Sequence, residues 1–151
     1  MSKKLAQETS TAHVVGLPGI APYQAKKNEK YMNEGQQQHF RAILIAIKQQ
    51  LMEGSDATVE SLRGDDKELA DPADKATREE IIGLMLRASD REGKLLRKTE
   101  EALQRLDDGE YGYCESCGEE IGIKRLEARP TATLCIDCKT LDEIREKQRG
   151  N

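Results

Sequence analysis

The spacing of apolar residues along the chain predicts two long amphipathic helices. In the first helix, four apolar residues lie four, three and four positions apart, which places them on one helical face. These residues are Phe40, Leu44, Ile47 and Leu51. In the second helix, positions 81 to 106 repeat this alternation, which is typical of a coiled-coil seam. Its positions are Ile81, Met85, Ala88, Glu92, Leu95, Thr99, Ala102 and Leu106.

The sequence DPAD at residues 71–74 separates the two helical patterns. Proline cannot continue a preceding helix, but it fits the first position of a new one, with Asp71 as the N-cap and Asp74 in the first turn. Two such helices joined by a short turn predict an antiparallel coiled-coil hairpin over residues 33–109, with its tip near 69–76. Helices of about 33 residues would make the hairpin about 50 Å long.

Residues 1–32 lack a helical period, because Pro18, Pro22 and several glycines interrupt it. We interpret this segment as an irregular N-terminal arm. Its apolar residues, among them Tyr23 and Met32, allow it to dock onto the body, and its lysines are equally compatible with disorder. The sequence leaves both alternatives open.

Composition favours an elongated helical protein over one compact core. Hydrophobic residues make up 36% of the chain, charged residues 34% and aromatic residues 3%. So few large apolar side chains bury little surface, and a bound metal would compensate in a small subdomain. We therefore predict a mostly α fold, with the hairpin projecting from a small globular base.

The four cysteines predict a structural zinc site in that base. Cys114 and Cys117 form one Cys-x-x-Cys pair, Cys135 and Cys138 form another, and seventeen residues separate the pairs. This is the spacing of a tetrahedral four-thiolate zinc ribbon, and four thiolates leave no ligand position open for catalysis. A redox-active dithiol pair is the alternative. No export signal is visible, so we expect a cytoplasmic protein with reduced thiols.

These boundaries give a zinc finger over residues 110–138. The apolar pair Leu141 and Ile144 shares one helical face, which predicts a C-terminal helix over residues 139–151.

Charge is distributed unevenly along the chain, whose formal net charge is −4. Residues 53–80 hold ten acidic and four basic side chains, whereas residues 81–105 hold six basic and four acidic ones. Helix capping explains the acids of DPAD, and a solvated helix face explains the basic stretch. The functional alternatives are an acidic tip and a basic contact surface near the hairpin base. The overall charge argues against a general nucleic-acid binder, and no apolar run is long enough for a membrane span.

The four cysteines belong to three longer motifs, which are YGYCESCG at 111–118, IGIKRLEARPTA at 121–132 and LCIDCK at 134–139. Together these motifs resemble the signature of the DksA/TraR zinc-finger family. The arm, the DPAD tip and EIREKQ at 143–148 extend the resemblance to the DksA branch over nearly the whole chain.

The resemblance implies a monomeric transcription factor that binds bacterial RNA polymerase through its secondary channel. Together with ppGpp, it would modulate initiation in the stringent response, repressing rRNA promoters and activating some amino-acid promoters. The resemblance implies no catalytic activity, no sequence-specific DNA binding and no membrane partner.

The resemblance also assigns roles to single residues. It implies functional tip residues at Asp71, Asp74 and Ala76, and a polymerase contact at Arg91. It further implies a ppGpp site at Leu95, Lys98, Arg129 and Lys139. The chain departs from the family pattern at Lys75, where arginine is common, and its helix glycines Gly64, Gly83 and Gly93 would weaken the hairpin.

Two other function classes are alternatives. A Gre-like transcript-cleavage factor also places an acidic tip in the polymerase channel, although the four-cysteine signature argues against it. A zinc-ribbon DNA-binding protein is the second, although residues 110–151, the zinc finger and C-terminal helix together, carry nine acidic and seven basic side chains.

Overall fold

The computed structural model describes residues 19–64 and 71–150. Within these ranges it contains four helices: α1 (Glu34–Gly64), α2 (Pro72–Asp107), α3 (Ile123–Ala128) and α4 (Ile136–Arg149). The described residues form no strand, and β-pairing among them is a single antiparallel bridge between Tyr113 and Glu120. The mostly α fold predicted from the sequence is confirmed.

Helices α1 and α2 pack against each other as an antiparallel hairpin. Two exposed ion pairs connect them: Arg41 Nη2 lies 2.7 Å from Asp107 Oδ1, and Lys48 Nζ lies 3.5 Å from Glu100 Oε1. With 36 residues, α2 is about 54 Å long and runs without interruption through Gly83 and Gly93. Part of the predicted tip, residues 69–70, lies outside the described residues.

The start of α1 is fixed by an N-cap at Asn33. Asn33 Oδ1 accepts a hydrogen bond from the backbone N–H of Gln36 at 2.9 Å. The Gln36 side chain reaches back to the N–H of Met32 at 2.7 Å, one residue beyond the position of a standard capping box. This reciprocal pair joins the arm to the helix.

The hydrophobic core lies at the base of the hairpin. Phe40, Ile43, Leu44 and Ile47 of α1 are at most 2% exposed. They pack with residues from α2, the arm and the zinc finger in one cluster, whose other buried members are Met32, Ala102, Leu106, Tyr111, Cys114, Ile121, Leu126 and Ala132. The face predicted for α1 is therefore correct, although Ile43 was not expected to belong to it.

The distal half of α2 departs from the predicted seam. Ile81 was expected to face α1, but its side chain is 52% exposed, and the neighbouring Ile82 is half-buried instead. Met85 is half-buried, as expected, because its position fits both the predicted face through Ile81 and the observed face through Ile82. A helix packed on a core buries a stripe of residues that is wider than a coiled-coil seam. Either of two adjacent isoleucines can therefore face the partner helix.

The arm docks onto the base over its described residues. The backbone N–H of Tyr23 donates to Glu127 Oε1 at 2.8 Å, and Glu127 also pairs with His39 Nε2 at 2.5 Å. One carboxylate of α3 thus holds both the arm and α1. Residues 1–18 of the predicted arm lie outside the described part of the chain.

None of the helices in the described ranges is long and apolar enough to cross a membrane.

Candidate functional site

The four cysteine sulfurs converge as the sequence predicts. All four Sγ atoms lie within 4.8 Å of one another, and those of Cys117 and Cys135 are 3.7 Å apart. A tetrahedral zinc ion with Zn–S bonds of about 2.3 Å requires sulfurs about 3.8 Å apart. The donor set and its spacing therefore fit a structural zinc ion held by Cys114, Cys117, Cys135 and Cys138.

Backbone turns aim the sulfurs at a common point. Cys114 donates its N–H to Glu119 at 2.8 Å and accepts at its carbonyl from Gly118 at 2.9 Å, where a φ of +78° favours glycine. Cys135 is the N-cap of α4, and its sulfur lies 3.5 Å from the N–H of Cys138. The C-terminal helix therefore begins at Ile136, three residues earlier than predicted, because the second cysteine pair forms its first turn.

The cysteines differ in their affinity for protons. Burial raises the pKa of the Cys114 thiol, but the N–H groups of Cys117, Cys135 and Ser116 outweigh burial and lower the pKa to about 6. Hydrogen bonding to the sulfurs of Cys135 and Cys117 favours the protonated form of Cys138 and raises its pKa to about 12. A divalent cation would offset the repulsion among four neighbouring thiolates.

Two arginines hold the zinc finger in place: Arg105 connects it to α2, and Arg125 connects two of its own segments. Arg105 donates to the carbonyl of Tyr113 at 2.8 Å and lies 3.3 Å from Glu115 Oε1. Arg125 donates through Nε to the carbonyl of Leu134 at 2.9 Å. Sequence reasoning missed both tethers, because each arginine donates to a backbone carbonyl that carries no signal in the sequence.

A cleft of about 320 Å³ lies between α2, the loop after α3, and α4. It brings together Lys98, Arg129 and Lys139, three of the four residues expected at a ppGpp site, and adds Arg125. The other lining residues are Glu101, Glu115, Thr131, Ala132, Thr133, Leu134 and Asp142. The cations come from separate elements of the chain, so only the fold brings them onto one surface.

Leu95, the fourth expected residue, does not line this cleft. It is half-buried on α2 one turn before Thr99, whose hydroxyl donates to the Leu95 carbonyl at 2.7 Å. Leu95 therefore does not line the space that the three cations surround.

Arg91 is exposed on the surface of α2. It lines a shallow depression with Arg87, Asp90, Leu84 and Leu86, and both leucines are 56% exposed. Two cations beside exposed leucines form a surface suited to contact another protein.

The tip residues Asp71, Asp74 and Ala76 are all exposed. Asp71 is the N-cap of α2, and its Oδ1 accepts from the N–H of Ala73 at 3.0 Å. Asp74 lies in the first turn, and among the described residues its carboxylate has no hydrogen-bond or ion-pair partner. The structure thus assigns the cap to Asp71 and leaves the Asp74 side chain directed at no described neighbour.

Two family models match the chain. Residues 36–106 match the N-terminal domain of the DnaK suppressor protein DksA. Residues 109–143 match the prokaryotic DksA/TraR C4-type zinc finger. The hairpin and the cysteine centre are thus each matched separately.

Full-length relatives extend this similarity. The RNA polymerase-binding transcription factor DksA of Escherichia coli K12 is 53% identical over 142 residues, 94% of each chain. Its counterpart from Haemophilus influenzae is 56% identical over 135 residues, covering 89% of this chain and 93% of that one. The solved structure of transcription factor DksA2 from Pseudomonas aeruginosa is 46% identical, with a TM-score of 0.70. That match covers 78% of this chain and 90% of the other.

Proposed function

Since the chain belongs to the DksA family, we propose that it binds bacterial RNA polymerase and modulates transcription initiation through the polymerase secondary channel. Its zinc-stapled base would remain at the channel entrance while the hairpin projects inward. On α2, Asp74 and Lys98 lie 24 positions apart, or about 36 Å along the helix, so the tip and the cleft can act at separate places on the enzyme.

The convergence of Lys98, Arg129 and Lys139 on one cleft carries this proposal. These side chains are 41 residues apart in sequence at their extremes, yet they surround the same space. Guanosine tetraphosphate is a compact polyanion, and lysine and arginine supply the charge-assisted hydrogen bonds that it requires. In our proposal the cleft contributes one wall of a ppGpp site that polymerase completes.

Regulation would be allosteric rather than catalytic. The chain would bind the states of the initiation complex with different affinities and so shift their populations. Asp74 is the candidate contact at the tip, because Asp71 already uses its carboxylate as the helix cap. This mechanism would shorten the lifetime of weak open complexes, lowering rRNA transcription and favouring some amino-acid promoters.

The surface around Arg91 is the candidate polymerase contact on the shaft. Exposed leucines beside Arg87 and Arg91 would bury apolar surface against the enzyme, while the guanidinium groups would pair with acidic side chains. We propose that the factor acts as a monomer in the cytoplasm.

In vitro transcription from an rRNA promoter, with and without ppGpp, tests this proposal. We expect the zinc-loaded protein to lower transcript yield and ppGpp to deepen the effect. Stimulated cleavage of RNA in backtracked complexes would instead support a Gre-like factor. Tight, salt-sensitive duplex binding without polymerase would support a DNA-binding protein.

A further inference from the structure

The first zinc knuckle, residues 112–122, is a very short antiparallel pair. The N–H of Cys114 donates to Glu119, and the N–H of Ile121 donates to Gly112, both at 2.8 Å. A two-stranded pair of this length is at best marginally stable in water. Zinc would hold the end that carries Cys114 and Cys117, which leaves the other end to be fixed by a different contact.

Tyr31 of the arm makes that contact. Its hydroxyl donates to the carbonyl of Gly112 at 2.7 Å and accepts from the N–H of Gly122 at 3.0 Å. One oxygen thus joins the two segments of the knuckle, as an ordered bridging water would, but it is attached to the arm. Burial raises the pKa of Tyr31, which favours the protonated, donating form.

The surrounding packing leaves little freedom in this arrangement. Gly112 has a φ of +92°, and a Cβ at that residue would lie only 2.9 Å from Met32 Cγ. The Tyr31 ring packs edge-on against Tyr113, with centroids 5.6 Å apart. The arm therefore contacts the knuckle through Met32 and the Tyr31 ring as well as through the bridging hydroxyl.

We propose that Tyr31 is a positioning residue for the zinc centre, so that zinc binding and docking of the arm stabilise each other. The hydroxyl holds the open end of the knuckle in the geometry that directs Cys114 and Cys117 to the metal. Thermodynamic reciprocity then requires that zinc strengthen arm docking by the same factor by which the docked arm strengthens zinc binding.

The variant Tyr31→Phe tests the first half of this proposal, because it keeps the ring and removes only the hydroxyl. Competition with a chromophoric chelator should show a zinc affinity about tenfold lower, as is typical when an outer partner of a metal site is lost. The matched control is Tyr23→Phe, since the Tyr23 hydroxyl donates to Glu29 within the arm at 2.6 Å. Its zinc affinity should stay within twofold of the wild type.

Limited trypsin digestion with and without zinc tests the second half. Lys26, Lys27 and Lys30 are exposed on the arm and provide the cleavage sites. Zinc should slow cleavage there, and this protection should be smaller in Tyr31→Phe. Wild-type zinc affinity in Tyr31→Phe, equal losses in both tyrosine variants, or cleavage that zinc does not slow would each overturn the proposal.

Discussion

Asp71 and Asp74 lie three residues apart at the start of α2, yet their carboxylates have different surroundings. Asp71 stabilises the helix by accepting a backbone hydrogen bond, whereas Asp74 contributes only its charge to the first turn. A favourable charge at a helix N-terminus is worth about 0.5 kcal/mol. Asp74 is therefore the acid that can change without a large loss of stability.

We predict that Asp74→Asn abolishes the effect on transcription while leaving polymerase affinity and zinc content close to those of the wild type. The substitution removes one charge at the tip and keeps the side-chain volume. Promoter assays and equilibrium binding measure the two properties separately. Glu79→Gln, an exposed acid further along the same helix, is the control and should remain active. A loss of helix content in Asp74→Asn would mean that Asp74 serves only the fold.

Lys98→Ala should weaken the response to ppGpp more than the basal effect on transcription, because it removes one cation from the cleft. The comparison is the ratio of transcript yields with and without ppGpp. Lys147→Ala removes the same charge from α4 outside the lining of the cleft. Unchanged synergy in Lys98→Ala, or equal losses in both variants, would reject the assignment of the cleft.

Zinc binding should release protons in a pH-dependent way. Near neutral pH, the raised pKa of Cys138 means that this thiol must lose a proton to bind zinc, whereas Cys114, with a pKa of about 6, is already ionised. Below about pH 6, Cys114 must also lose a proton, so zinc affinity should fall more steeply there. Calorimetry in buffers of different ionisation enthalpy counts these protons. A constant count from pH 8 to pH 5 would contradict the assignment.

Single residues were predictable where sequence spacing defines the chemistry. The cysteines and the cap at Asp71 belong to such patterns, and both occupy the expected places. Tyr31, Arg105 and Glu127 carry no local pattern, because each acts on partners that only the folded chain brings close. The ppGpp assignment for Leu95, Lys98, Arg129 and Lys139 came from resemblance and stays a prediction.

Among the structural elements, both long helices follow from their apolar period. Periodicity could not decide between Ile81 and Ile82, since both are isoleucines and the packed face is wider than one seam. It also missed α3, whose six residues are too few to display a helical period. Short elements of this kind are held by tertiary contacts such as those of Glu127 and Leu126.

The glycines of α2 lower the stability of the hairpin without breaking it. Gly93 is in the helix interior, and a Cβ there would meet no heavy atom within 4 Å. Gly93→Ala should therefore raise the free energy of unfolding by about 1 kcal/mol. Gly109→Ala is the opposite control, because a φ of +75° strains alanine, and it should destabilise the protein. Urea unfolding measures both, and a destabilised Gly93→Ala would contradict this packing of α2.

At the scale of the whole molecule, the buried core is confined to the base of the hairpin, whereas the proposed tip and Arg91 contacts lie beyond it. The arm, α3, the zinc finger and the lower part of α1 and α2 share one buried cluster at the base. The tip residues and the Arg91 surface lie on exposed helix beyond it. A sequence pattern predicts the hairpin and the base individually. It does not predict how the arm packs against the zinc finger, because that packing depends on contacts between residues 81 to 104 positions apart.

The most direct test of the central claim is the lifetime of competitor-challenged open complexes at an rRNA promoter. We predict that the zinc-loaded protein shortens this lifetime, that ppGpp shortens it further, and that Asp74→Asn has no effect although it binds polymerase. An unchanged lifetime at protein concentrations where binding to polymerase is complete would contradict the account.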